Sequence, residues 1–252
     1  MTVLSLADVT RRVRAGRETA ALLDAVALDV WPGEHVAILG ARRQGKTTLL
    51  RIAAGIESPD AGVVRLDGDD LGALPRGTRT RRLRAVGYVP KEWRVARGKP
   101  ALDHVALPLL AEGRPLVTAL AKAHEALERV GATHCAGSST DELAPVDATR
   151  VALAQALVRR PRLLLVDEPG AAAEPDEREE LLRLLRTIAG EQPELALVVT
   201  SRDVAGVAGA TRVLTLGDGA LRGASRPDDA EVLPFPTRDR PGERARDHAP
   251  IA

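Results

Sequence analysis

The stretch VAILGARRQGKTTLL, residues 36–50, joins an apolar run, a glycine loop and a helix-forming segment without interruption. Its loop matches G-x-x-x-x-G-K-[ST], a pattern whose backbone N–H groups and following helix N-terminus capture phosphates. Lys46 is predicted to reach the β- and γ-phosphates of ATP, and Thr47 to ligate Mg²⁺. A chance glycine loop is the alternative, and the strand–loop–helix order argues against it. The predicted nucleotide-binding residues are Gly40, Ala41, Arg42, Arg43, Gln44, Gly45, Lys46, Thr47 and Thr48.

A second apolar run, Leu163–Val166, ends in two adjacent carboxylates, Asp167 and Glu168. A continuous apolar run is expected for a strand that is covered on both faces. If the strand continues, alternation points the two carboxylates in opposite directions. We therefore predict that Asp167 holds Mg²⁺ through water, and that Glu168 is the catalytic residue that polarises the attacking water. The alternative is that these are two solvated acids at a strand end with no catalytic role. The presence of the phosphate loop in the same chain argues against it.

Short apolar runs alternate with helix-forming segments, and this order predicts an α/β fold with a mostly parallel core sheet. An antiparallel β portion is expected near the N-terminus, and the Ala/Leu-rich region of about 92–160 is expected to be an inserted helical subdomain. The predicted strands are Leu4–Val9, Leu22–Trp31, His35–Leu39, Val63–Leu66, Val86–Val89, Leu163–Val166, Leu197–Thr200 and Val213–Leu216. The predicted helices are Lys46–Ala54, Ala101–Leu110, Thr118–Val130, Ala148–Arg159 and Asp176–Ile188.

Bulk composition restricts the classes of function. The 252 residues carry a formal net charge of +1, which calls for neither nucleic acid nor an anionic membrane as a partner. The single cysteine fits a reducing compartment. No signal-peptide pattern is present, and no apolar run approaches the roughly 20 residues that span a bilayer. We expect a cytoplasmic protein whose membrane role depends on a partner. Residues 224–252, rich in Pro, Arg and Asp, are expected to be a disordered tail.

Beyond these two motifs, the chain resembles the ATPase subunit of an ABC transporter from Val3 to Gly223. The run ending at Leu110 is similar to the lipoprotein-release and macrolide-export subgroup. The resemblance implies a P-loop NTPase fold of ABC type over residues 1–223, with ATP and Mg²⁺ as cofactors. It also implies dimers that sandwich two ATP molecules and drive a membrane-spanning subunit at the inner face of the cell membrane. The other segments that carry the resemblance are Leu49–Gly55, Pro59–Gly62, Asp67-Gly68, Val86–Val89, Ala101–Leu110, Arg150–Leu157 and Asp218-Gly219.

The family signature L-S-G-G-Q falls on an altered segment, Leu143–Asp147. The serine hydroxyl is missing, Pro145 removes a backbone donor, and Val146 adds a side chain where the family needs close backbone approach. Asp147 brings a negative charge near the γ-phosphate position. We favour the interpretation that this segment is only the start of a helix, with Asp147 as the N-cap before Ala148.

Other family positions are also changed. The glutamine before the helical subdomain falls on Lys91, which offers only donors, whereas an amide oxygen can ligate Mg²⁺. The switch histidine falls on Ser201, and the D-loop aspartate on Glu174. The aromatic residue that stacks on adenine falls near Val13, an aliphatic residue, and Arg43 stands at the middle glycine of the family's phosphate loop.

Two classes of function fit these observations. The first is an ATPase subunit that powers a transporter, as a homodimer or as a heterodimer with a second ATPase subunit. The second is a nucleotide-binding regulatory or structural subunit with little hydrolysis. A nucleic-acid-associated ABC protein is a weaker third, because such proteins commonly carry two cassettes or a long coiled coil. His134 and Cys135 are interpreted as ordinary surface residues, because two adjacent metal-ligand types lack a second pair.

Overall fold

Ten strands and six α-helices lie within the residues that the computed structural model describes, which are 1–15, 18–93 and 98–224. The strands are β1 (Leu4–Ala15), β2 (Glu18–Val30), β3 (His35–Leu39), β4 (Ala61–Leu66), β5 (Asp69–Asp70), β6 (Val86–Val89), β7 (Leu163–Asp167), β8 (Ala196–Ser201), β9 (Arg212–Gly217) and β10 (Ala220–Ala224). The helices are α1 (Lys46–Ala53), α2 (Arg76–Leu83), α3 (Ala101–Leu110), α4 (Leu116–Arg129), α5 (Pro145–Leu157) and α6 (Pro175–Glu191).

The central sheet has six strands in the order β10-β9-β3-β8-β7-β6. Strands β9, β3, β8, β7 and β6 run parallel, and β10 is antiparallel to β9. Every residue of β7 and β8 is buried, as expected for strands covered on both faces. The α/β fold with a mostly parallel core sheet is therefore confirmed.

A second sheet, in the order β2-β1-β4-β5, is antiparallel throughout and contains the N-terminal strands. Its inner face, α1 and one face of the central sheet share a single hydrophobic cluster. Aliphatic side chains fill this cluster, and burying each stabilises the fold by roughly 1.5–3 kcal/mol. Its fully buried large side chains include Leu4, Leu6, Leu23, Ile38, Leu49, Leu50 and Ile52.

Helices α3, α4 and α5 form the inserted helical unit that the composition predicts. Their inner faces share a hydrophobic cluster with residues of β6, β7, β8 and α6, such as Leu164 and Leu185. Alanines let the helices approach closely, and Trp93 packs against the cluster at the entrance to this unit. The phosphate loop and the helical unit are therefore attached to the same sheet through separate cores.

Several elements differ from the prediction. Strand β1 extends to Ala15 and β2 begins at Glu18, where Val9 and Leu22 were predicted, and the short strands β5 and β10 were not predicted. Helix α5 begins at Pro145, three residues before the predicted Ala148, because proline is well tolerated in the first helical turn. Helix α2 was not predicted at all. Ala224 pairs with Val213 in the last described strand, whereas residues 225–252, most of the predicted tail, lie outside the described residues. Within the described part of the chain, no helix combines the length and the apolarity needed to cross a bilayer.

Candidate functional site

The predicted site residues lie at one edge of the central sheet. The phosphate loop follows β3, Lys91 follows β6, Glu168 follows β7 and Arg202 follows β8. Because these four strands are parallel, their carboxyl ends meet at the same edge, which is where α/β sheets bind ligands.

The phosphate loop has the backbone that its pattern requires. Gly45 precedes α1 with a φ of 94°, a left-handed conformation that glycine adopts without strain. A Cβ on Gly40 would lie 2.8 Å from the Leu216 carbonyl oxygen, and one on Gly45 would lie 2.9 Å from the Leu23 side chain. Close packing therefore requires both glycines, and the turn requires Gly45.

The middle of the loop departs from the family pattern. Arg43, at the position of the family's glycine, has a φ of 65°, which is strained for a residue with a Cβ. The Gln44 side-chain oxygen accepts a hydrogen bond from the Ala41 N–H at 3.2 Å, which closes the loop. Arg42 and Arg43 are exposed, so both can contribute positive charge to an approaching phosphate.

Lys46 is folded back over its own loop. Its Nζ donates to the carbonyl oxygens of Gly40 at 2.6 Å and Ala41 at 3.0 Å, and it forms an ion pair with Glu168 Oε1 at 3.0 Å. The lysine side chain is only 3% exposed. These contacts hold the ammonium group at the loop, where the sequence predicts contact with phosphate.

Thr47 and Asp167, the two predicted Mg²⁺ ligands, are in direct contact. Thr47 Oγ1 donates to Asp167 Oδ2 at 2.7 Å, while the other carboxylate oxygen accepts from Thr200 Oγ1 at 2.8 Å. Hydroxyl and carboxylate oxygens are the ligands that Mg²⁺ prefers, so this pair fits the ion. Lys91, at the position of the family's glutamine, does not fit, because an ammonium group repels a cation.

Glu168 lies just beyond the end of β7, with a φ of 43°. The strand therefore stops at Asp167, and the predicted alternation does not apply: both carboxylates approach the first turn of α1. Burial raises the pKa of Glu168, but the ammonium groups of Lys91 and Lys46 outweigh it and hold the pKa below its ordinary value. The group is an ionised carboxylate and a weakened base.

Glu168 makes three ion pairs. Besides Lys46, its partners are Lys91 Nζ at 2.8 Å and Arg202 Nε at 3.0 Å, both on Oε2. No sequence motif predicts a role for Arg202. Its place directly after the altered switch position, at the end of an apolar strand, was the available signal.

The altered signature segment forms a helix start without a side-chain cap. Ala144 is the N-cap of α5, and Pro145 and Asp147 lie in the first turn. The predicted N-cap role of Asp147 is therefore wrong, because the helix begins before this residue. Its carboxylate instead lies 3.3 Å from His134 Nε2.

Two other altered positions have local structural roles. Ser201 is buried, accepts a hydrogen bond from Arg178 at 3.2 Å and lies beside Asp203, which Arg178 binds through both carboxylate oxygens. Glu174 is the N-cap of α6 and forms a reciprocal capping box with Glu177. Neither position keeps the imidazole or the aspartate of the family.

His134 and Cys135 do not both lie at the surface as expected. Cys135 is buried, and its Sγ, the imidazole of His134 and the Asp147 carboxylate lie within 4.8 Å of one another. Burial and the nearby Asp147 raise the pKa of the Cys135 thiol, which favours the protonated form over the thiolate that binds metals. This cluster is therefore a weak metal-ligand set.

Comparison with known proteins shows that the chain is similar to ATP-binding proteins of ABC transporters. A family model described as ABC transporter matches residues 23–171. A lipoprotein-releasing system ATP-binding protein of Caulobacter vibrioides is 36% identical over 220 residues, which is 87% of this chain and 96% of that protein. A methionine import ATP-binding protein of the same species is 38% identical over 198 residues, or 78% of this chain. A macrolide export ATP-binding/permease protein of Azoarcus sp. is 31% identical over 242 residues.

The chain spans only 58% of the methionine import protein and 37% of the macrolide export protein. Among solved structures, a dimeric bacterial ABC transporter cassette superposes with a TM-score of 0.82 at 27% identity, covering 89% of this chain and 98% of that one. A dimeric post-hydrolysis cassette bound to ADP and Pi superposes with a TM-score of 0.81 at 26% identity.

Proposed function

Because the chain belongs to the ABC transporter family, we propose that it is an ATP-binding subunit that couples ATP binding and hydrolysis to transport through a separate membrane subunit. A membrane-spanning partner would place it at the inner face of the cell membrane. Its relatives include proteins named for lipoprotein release, methionine import and macrolide export.

The observation that carries this proposal is the contact between the phosphate loop and the two acids after β7. Lys46 is 3.0 Å from Glu168, and Thr47 is 2.7 Å from Asp167. These residues are about 120 positions apart in sequence, yet they form one group at the N-terminus of α1, beside the phosphate loop. This arrangement supports ATP binding with its phosphates on residues 40–48.

Thr47 and Asp167 would hold Mg²⁺, which would neutralise phosphate charge and polarise the γ-phosphoryl group. The chain's own residues do the remaining work. The N–H groups of the loop and Lys46 orient the phosphates, and Glu168 takes the proton of the attacking water. Glu168 must first leave its ion pairs, and its lowered pKa makes it a weak base. We therefore propose slow hydrolysis.

A regulatory or structural role with little turnover is the second candidate. It is favoured by Pro145, which has no backbone N–H to offer at the start of α5, and by Asp147, whose charge repels phosphate. The sequestered Glu168 favours it further. ATP binding is common to both candidates, and turnover separates them.

Equilibrium binding of a labelled ATP to the wild-type chain and to Lys46→Ala tests the shared part of the proposal. We expect at least about tenfold weaker binding by the variant, since a charge-assisted phosphate contact is lost. Lys122→Ala, on the distant helix α4, is the matched control. Equal binding by Lys46→Ala and wild type would contradict the assignment. ATPase activity that Glu168→Gln abolishes would identify the first candidate.

A further inference from the structure

Three cations converge on one carboxylate in the candidate site. Lys46 contacts Oε1 of Glu168, and Lys91 and Arg202 both contact Oε2, at distances between 2.8 and 3.0 Å. The Glu168 side chain is only 8% exposed, whereas those of Lys91 and Arg202 are 33% and 38% exposed. The two outer cations therefore lie at the open side of the site, beyond the buried Lys46.

The positive charge at this point exceeds what Glu168 needs. One buried carboxylate is neutralised by one cation, and Lys46 already supplies it. Counting Lys46, Lys91 and Arg202 against Glu168 and Asp167 gives 3 − 2 = +1 for the resting group. The cations repel one another, and this cost favours the arrival of a further anion. Arg178 is not part of the surplus, because Asp203 binds it through both oxygens.

Lys91 and Arg202 together carry +2, the charge of one Mg²⁺. They also lie on the loops that follow β6 and β8, on either side of the acids after β7. Ammonium and guanidinium groups bind phosphate oxygens through charge-assisted hydrogen bonds. The Glu168 carboxylate occupies, in this state, the anion position that these groups create.

We propose that Lys91 and Arg202 bind the γ-phosphate of ATP and add their charge to that of a Mg²⁺ ion held by Thr47 and Asp167, so that this chain still binds ATP when no divalent cation is present. The proposal rests on the proposed function, in which residues 40–48 hold the phosphates of ATP. When the γ-phosphate enters, it replaces Glu168 as the partner of Lys91 and Arg202. ADP lacks this phosphate and gains nothing from the two cations.

The test is equilibrium binding of ATP and ADP to the purified chain, once with excess Mg²⁺ and once with excess EDTA. The variants are Lys91→Gln, Arg202→Gln and their combination. Lys122→Gln and Arg129→Gln, on helix α4, are matched controls for the loss of a lysine and an arginine. We expect wild-type affinity for ATP to fall by less than about threefold in EDTA, and that of the double variant to fall by about tenfold or more.

The preference of the wild type for ATP over ADP in EDTA should also disappear in the double variant. Glu168→Gln gives a second test that leaves both cations in place: removing the competing carboxylate should tighten ATP binding in EDTA. The proposal is overturned if ATP binding by the wild type falls in EDTA as much as that of the double variant. It is also overturned if Glu168→Gln binds ATP more weakly than wild type in EDTA. If Lys46→Ala binds ATP as well as wild type, the proposed function fails as well.

Discussion

At the scale of one residue, Arg43 has a Cβ but lies in a left-handed backbone conformation in the phosphate loop. Its φ of 65° costs a residue other than glycine about 1–2 kcal/mol. Replacing Arg43 by glycine removes this cost. Part of the stabilisation is lost again, because glycine gives the unfolded chain more conformational freedom. We therefore expect Arg43→Gly to raise the free energy of unfolding by about 0.5–1 kcal/mol, as measured by urea denaturation without nucleotide.

The matched control is Arg42→Gly. Arg42 is the exposed neighbour and does not have a positive φ, so glycine brings only the entropic cost there. Destabilisation by this variant, with stabilisation by Arg43→Gly, is the expected pair of results. A loss of stability in both variants would mean that the Arg43 side chain contributes more than its strained backbone costs.

Glu168 makes the stability of the fold depend on pH. Its pKa in the folded chain lies below the ordinary value of 4.5, so its ion pairs contribute fully above that value. The contribution is lost as the pH falls through the lower, folded-state pKa. We expect wild type to be more stable than Glu168→Gln at neutral pH, and the difference to shrink below pH 4.5. Denaturation of both proteins across this range measures it, and a constant difference would contradict the prediction.

The sequence identified most of the residues that the structure brings together, but not their contacts. Lys46, Thr47, Asp167 and Glu168 belong to motifs whose spacing along the chain is characteristic. The pairing of Arg202 with Glu168 depends on the parallel order of β7 and β8, which local sequence does not encode. Contacts between loops were therefore the part that pattern analysis could not supply.

Among the elements, α5 has a start that can be improved by one change. Its N-cap, Ala144, has φ and ψ of −59° and 153°, an extended conformation suited to a capping side chain, yet alanine supplies none. We expect Ala144→Ser to raise the free energy of unfolding by about 1 kcal/mol, because its hydroxyl can accept a hydrogen bond from the first turn. Urea denaturation measures this effect.

Ala111→Ser is the control for the same chemical change. Ala111 is exposed and lies at the C-cap of α3, where the free backbone groups are carbonyls and a capping acceptor has no use. This variant should leave stability within about 0.5 kcal/mol of wild type. An equal gain from both substitutions would point to a general effect of serine rather than to capping.

Element predictions succeeded where burial is strong and failed where it is weak. Strand β3 and helix α3 have the predicted bounds, since most of their residues are apolar. Helix α2 contains four arginines and no buried residue, so its sequence carries no apolar periodicity. One of those arginines, Arg79, donates to the Gly55 carbonyl oxygen, which fastens the helix to the end of α1. Such a helix depends on tertiary contacts that the local sequence does not show.

At the scale of the whole molecule, the two halves of the proposed ATP site differ in how well this chain keeps the residues of the family. The half that we propose to hold nucleotide on this chain keeps Lys46, Thr47, Asp167 and Glu168. The segment Leu143–Asp147, the half that the family offers to a partner's ATP, has lost its hydroxyl and its glycines. Two copies of this chain would thus complete each other's sites poorly, and we propose that its productive assembly pairs it with a subunit whose signature is intact.

Restoring the signature tests this asymmetry in the chain itself. We expect Ala144→Ser/Pro145→Gly/Val146→Gly/Asp147→Gln to form an ATP-dependent homodimer, since phosphate donors return and the repelling carboxylate leaves. The wild-type chain should remain monomeric under the same conditions. ATPase turnover should rise by at least about tenfold over the low wild-type rate, because such donors each contribute several kcal/mol to charge stabilisation.

Light scattering with ATP and a turnover assay measure the two effects, and the same four substitutions in a Lys46→Ala background are the control, which should show neither. Lys91 and Ser201 would still keep turnover slow, so dimerisation is the more sensitive of the two measurements. If the wild-type chain forms the ATP-dependent dimer as readily as the restored chain, the altered signature does not weaken self-association. Nothing in this segment would then require a different partner. The assembly in which Glu168 accepts the proton of the attacking water would be a homodimer.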